Sequence, residues 1–205
     1  MKKKIIKKRG KKEEDFFKRQ YTESWSYLKE SRKFIYFSIL IFFIFVLIGF
    51  LFPTPKFIVE KIIELFKEIL SKTEGMSQME LIFFIFENNV QASLFGLVFG
   101  IFLGIYPVFA LMFNGYLVGF VGKLAVVEKG FSSLFSLLPH GIFELPAIFI
   151  SFSMGIKFGS FIFNKNKLDS LKDYFWNSLR VFIFVVVPLL IIAAIIEGSL
   201  IAILG

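Results

Sequence analysis

The run FIYFSILIFFIFVLIGFLF, Phe34 to Phe52, holds nineteen residues and no charge. As an α-helix it is about 28 Å long, close to the thickness of a bilayer's hydrocarbon core, and it reads as a transmembrane helix. Pro53 and Pro55 end it, because proline disfavours helix at the residue before it. The same apolar character fills most of the chain. Hydrophobic residues make up 56% of the 205, 31 residues are Phe, and mean hydropathy is +0.73. Ordinary soluble domains are about 45–50% apolar. A soluble domain, a disordered chain and a single-helix anchor are all excluded. The expected fold is an all-α, polytopic helical membrane bundle of about five transmembrane helices.

Four further crossings follow. The second runs from Met79 to Gly104, with a tight hairpin expected at Tyr106-Pro107, and the third from Pro107 to Val127. A fourth element, Phe131 to Phe163, is too long for one simple span and is expected to break at Pro139, Gly141 and Pro146. After a polar loop at Asn164–Asp173, the last span starts near Arg180 and contains Pro188. Between the first two spans, Phe57–Leu70 carries Ile58, Ile62, Leu65 and Ile69 on one side and Glu60, Lys61, Glu64, Lys67 and Glu68 on the other. That pattern is an amphipathic helix lying on the membrane or capping the bundle.

The charge is uneven. The net charge is +8, and 13 of 24 Lys and Arg fall within residues 1–33. Residues 1–14 are expected to be disordered. From 15 to 33, Phe17, Tyr21, Trp25 and Leu28 recur at helical spacing among basic residues, with Asp15 as a cap. An interfacial amphipathic helix and a solvated lead-in both fit this pattern. Domain organisation is therefore a basic cytoplasmic segment, 1–33, and a transmembrane bundle, 34–205. Beside a membrane, such a tail serves lipid attraction and anchoring, not nucleic acid. The basic start has no apolar core next to it, so no cleaved signal peptide is expected. With an N-terminus inside and five crossings, inner segments hold 18 basic residues and outer ones 6. The expected location is the cell membrane, N-terminus cytoplasmic and C-terminus outside.

Small residues recur every fourth position: Ala92, Gly96, Gly100 and Gly104 on the second span, Gly115 and Gly119 on the third, Ser151, Gly155 and Gly159 on the fourth. Such faces let helix backbones approach closely in lipid. Polar groups also sit in apolar surroundings: Glu87, Asn88, Asn89, Gln91, Asn114, His140, Glu144 and Glu197. Intramembrane carboxyls are costly and usually have a partner or a job. Their depths let Glu87, Glu144 and Glu197 face one cavity opening outward. Three readings stay open: a structural hydrogen-bonding network, a transport or proton path, and a partner-binding rim. Hydrolysis or metal binding fits poorly, since the chain has one His and no His-Glu-x-x-His pattern. There is no cysteine and no phosphate loop ending in Gly-Lys-Ser/Thr. No catalytic residue, metal or cofactor is expected.

Three stretches share a resemblance. Glu87-Asn-Asn-Val precedes a small-residue span, Phe113-Asn-Gly-Tyr116 follows, and then comes Leu138-Pro-His-Gly-Ile-Phe-Glu-Leu-Pro-Ala147. Together with Glu197 in the last span, they resemble the stage II sporulation protein M family over roughly residues 34–200. The chain departs from that pattern after Glu197, where Gly198-Ser-Leu-Ile stands in place of Thr-Pro. The resemblance implies about five spans. It also implies a scaffold that, in endospore formers, recruits peptidoglycan hydrolases without being one. Relatives occur in organisms that never sporulate. The function expected is a membrane scaffold or assembly component, not an enzyme, working with the lipid bilayer and with membrane or soluble protein partners. A second copy of the chain is a candidate partner. The alternative is a small transporter, or a transporter subunit, using the buried carboxylates.

Overall fold

A computed structural model describes the backbone of residues 2–204 and the side chains of 14–134 and 141–201. Among the described residues there are helices and no strands. The elements are α1 (Lys2–Glu30), α2 (Arg32–Leu51), α3 (Lys56–Thr73), α4 (Gln78–Val98), α5 (Ile105–Lys129), α6 (Leu134–Gly159), α7 (Lys167–Val181) and α8 (Val187–Leu204). Five segments are long and apolar enough to cross a membrane: Arg32–Leu51, Gln78–Ile101, Ile105–Lys129, Gly141–Phe163 and Lys167–Ile201.

The crossings alternate in direction. α2, α5 and α6 meet, and α6 also packs on α4 and α8. α1 and α7 lie together at one end of the bundle and α3 lies at the other. α6 is the central helix. Its face from Ala147 to Phe149 and from Ser151 to Gly155 is buried. Phe42 of α2 meets Phe149 edge-on at 5.1 Å, beside Leu111 of α5. A second core joins Leu97, Met154, Val181, Val186 and Leu190 with Tyr27 and Leu28 of α1.

The small residues decide which helices touch. A Cβ on Gly100 would run into the Gly155 backbone, and one on Gly155 into the Gly96 carbonyl. Gly159 is equally close to Gly100 and Gly104. In the same contact, Ser151 Oγ donates to the Ser93 carbonyl at 2.7 Å. Gly115 and Gly119 of α5 meet the Phe42 and Val46 carbonyls of α2, and Gly49 of α2 meets Tyr116 in return. Ala92 does not belong to this surface, because it is exposed. Ser93, Gly96, Leu97 and Gly100 form the buried face instead. At 3.6 residues per turn, a strict four-residue repeat drifts around the helix.

Five further expectations are corrected. The turn after α4 falls at Phe102–Gly104, where Leu103 has φ 58° and Gly104 φ 69°. Leu103 bears a strain of about 1–2 kcal/mol there, while Gly104 has no Cβ to clash. Pro107 lies buried in the first turn of α5, where a missing N–H breaks no helical bond. The fourth element is not broken: α6 is continuous through Gly141 and Pro146. One proline removes one bond of a long ladder, and packing on α4 and α8 holds the axis. Pro139 also falls within the bounds of α6, but its side chain lies outside the described residues. The irregular backbone is in the last crossing. Phe182–Val186 is a π-helical turn just ahead of Pro188, which widens the helix where the proline ring would strike a carbonyl.

The stretch expected as a loop at Asn164–Asp173 is largely helical. Leu171, Tyr174, Phe175, Ser178 and Val181 form an inward face that its polar residues mask in a composition count. Finally, α1 starts at Lys2, and Asp15 lies inside it. No proline interrupts that Lys- and Glu-rich stretch, which apart from Gly10 consists mostly of good helix formers.

Candidate functional site

Local sequence sets up a polar cavity at the α3 end. Ser77 starts α4 with a reciprocal cap, its N–H donating to Glu80 Oε2 at 2.7 Å while its hydroxyl accepts from the Glu80 N–H at 3.5 Å. Gln78 Nε2 then donates to Ser199 Oγ at 3.1 Å, tying the start of α4 to the end of α8. Gly198 lets α8 approach the Ile82 backbone. These contacts bring Asn88 and Asn89 of α4, Glu144 of α6 and Glu197 of α8 around one cavity of about 270 Å³. Asn89 is buried and Glu144 and Glu197 are half-buried.

The amphipathic α3 roofs this cavity with Ile69 and Thr73. An adjoining cavity of about 340 Å³ is lined by Glu68 and Lys72 of α3 and by Glu87, Asn88 and Gln91 of α4. Asn88 is common to both. Glu87 therefore faces the second space with Lys72, not the first with Glu144 and Glu197. Asn114 stands elsewhere. Its side-chain amide donates to the carbonyl of Ala110 at 2.8 Å, one turn back on α5. The side chain of His140 lies outside the described residues. The cavity's chemistry is that of carboxyls and amides, able to accept and donate hydrogen bonds or to carry a proton.

A second constellation lies at the opposite end, and composition alone did not mark it. Lys157 of α6 is only 3% exposed. Its ammonium donates to Glu30 Oε1 at 2.8 Å and Ser31 Oγ at 3.0 Å and sits 3.7 Å from the centre of the Tyr27 ring. Burial pushes the Tyr27 hydroxyl well above the ordinary phenol range. Arg180 of α7 reaches α1 as well, through Gln20 Oε1 at 2.8 Å and Glu23 at 2.9 Å. α1 is thereby docked on α6 and α7. The one advance sign is a lone Lys inside an apolar run, Lys157, since such a charge needs partners.

Five apolar crossings with surface helices at both ends define a multi-pass α-helical membrane protein. The family profile for stage II sporulation protein M matches residues 38–200. The chain belongs to that family. It is also similar to an uncharacterized protein of Methanocaldococcus jannaschii, 29% identical over 139 residues, which cover 65% of this chain. The match spans 61% of the relative's length. No solved structure matches the chain.

Proposed function

We propose that the chain is a membrane scaffold or assembly component, not an enzyme, that gathers partner proteins on its α1–α7 face. The observation that carries this reading is the docking of α1 on α6 and α7 through Lys157 and Arg180. Those long-range ties fix a surface that a partner can recognise without ordering it first. Family membership supports the same reading. The orientation that goes with it places α1 and α7 in the cytoplasm and the C-terminus outside. In its favour, 18 of the 24 Lys and Arg lie toward that end and 6 toward the other.

The transport reading has its own supporting observation, the cavity where Asn88, Asn89, Glu144 and Glu197 meet. One experiment separates the two. The tagged protein and its Glu144→Gln form are purified from native membranes and reconstituted into liposomes. A scaffold co-elutes with the same partner in both forms and carries no pH-dependent flux. Flux that Glu144→Gln abolishes, with no co-eluting partner, overturns the scaffold reading.

A further inference from the structure

Two apolar grooves of about 540 Å³ each open on opposite ends of the bundle, and they differ in charge. The groove at the α3 end includes Lys61, whose ammonium is paired with Glu64 at 2.6 Å. The groove at the α1 end has Trp25 and Lys29 at its mouth. Lys29 is exposed, and none of the described salt bridges or hydrogen bonds includes it. Below it, Ile35, Ile39 and Phe43 of α2 make one wall, and Pro146 and Phe149 of α6 make the other.

The dimensions fit a lipid. Ile35, Ile39 and Phe43 recur every fourth residue and form a stripe about 12 Å long. One leaflet contributes about 15 Å of hydrocarbon. Trp25 and Lys29 stand within about two turns of the start of the first transmembrane helix, and an indole and an ammonium suit the headgroup region that flanks such a helix. Arg32 and Lys33, exposed at the start of α2, add positive charge nearby.

We propose that this groove between α1, α2 and α6 binds one anionic phospholipid, its phosphate held by Lys29 and an acyl chain laid along Ile35, Ile39 and Phe43. Trp25 covers the glycerol region. The α3 groove, with its lysine already paired, takes neutral and anionic lipids alike. Because Lys29 shares α1 with Glu23 and Glu30, a bound lipid also anchors the docked helix to its leaflet.

The test uses the full-length protein in detergent, with native mass spectrometry to count bound phosphatidylglycerol and phosphatidylcholine. The wild type is expected to hold one phosphatidylglycerol in clear preference to phosphatidylcholine. Lys29→Ala should lower phosphatidylglycerol affinity about fivefold, the effect of one basic group near a lipid surface, and leave phosphatidylcholine unchanged. Lys29→Arg should restore the preference, and Lys61→Ala should not alter it. Lys29 is exposed, so these variants keep the fold. Equal affinity for the two lipids in the wild type, or an undiminished preference in Lys29→Ala, overturns the proposal. So does a Trp25→Cys protein that cross-links to a second copy through its new thiol whichever lipid is present.

Discussion

The two ends of the bundle are held by different kinds of charge. At the α1–α7 end, Lys157 and Arg180 reach across 127 and 160 positions of sequence to Glu30 and Gln20. At the α3 end, Lys61 pairs with Glu64 and Lys72 with Glu68, each within one helix. Short-range pairs of exposed side chains steady the helix that carries them and little else. Long-range pairs with a buried member fix one element upon another. The α1–α7 end is thus a fixed surface. The α3 helix lies over its polar cavities between Pro55 and Gly75, held by Ile62 and its apolar neighbours.

The largest effect should come from the glycine contacts that both ends depend on. Gly100→Leu pushes a side chain into the Gly155 backbone and should abolish the folded bundle, seen as aggregation on size exclusion in detergent. Ala92→Leu, on the exposed side of the same helix, should leave thermal stability unchanged. Equal loss in both variants would mean that helix length or lipid contact, not backbone approach, limits the fold.

The next effect distinguishes the ends directly. Glu30→Ala leaves Lys157 buried with only Ser31 and the tyrosine rings beside it. A cost of about 1–3 kcal/mol is expected, below that of a fully buried pair because Glu30 itself is largely exposed. Hydrogen exchange should then quicken in α1. Lys61→Ala should change neither melting temperature nor exchange, as its pair with Glu64 is fully solvated. In the wild type, α3 amides should exchange faster than those of α1 beyond Glu14. Slower exchange in α3 contradicts the contrast between the ends.

A smaller effect is expected at the cavity. Glu144→Gln keeps the shape and the hydrogen-bonding capacity and should be nearly silent in melting temperature. Glu144→Leu replaces the carboxyl that lines the cavity with Asn88 and Asn89 by an apolar group, leaves those amides facing hydrocarbon there, and should cost about 1 kcal/mol. A leucine variant as stable as the wild type would show that the polarity of the cavity at Glu144 contributes nothing to the fold.

Much of this architecture is legible in the residues. Long apolar runs mark the crossings, because lipid demands a complete internal set of backbone bonds. Gly96, Gly100, Gly155 and Gly159 mark the contact between α4 and α6. The sequence leaves other features unsaid for physical reasons. Prolines in a membrane helix read as breaks, yet α6 continues through Pro146, while the true irregularity precedes Pro188. Polarity hid α7, since only one of its faces needs to be apolar. Depth along a helix was readable for Glu87, Glu144 and Glu197, but the direction around the axis was not. That direction puts Glu87 in the neighbouring space. Asn114 illustrates another limit, for an amide in a span can be satisfied by its own helix. The docking of α1 depends on pairs more than 120 residues apart, which no local pattern encodes.

The orientation of the two ends can be read with one pair of labels. The chain has no cysteine, so Ser77→Cys, between α3 and α4, and Asn166→Cys, just before α7, each introduce a single thiol. A membrane-impermeant maleimide added to intact cells should label the Ser77→Cys protein and leave the Asn166→Cys protein unlabelled until the membrane is opened. Labelling of both variants from outside, or of Asn166→Cys alone, would contradict a cytoplasmic α1–α7 scaffold surface.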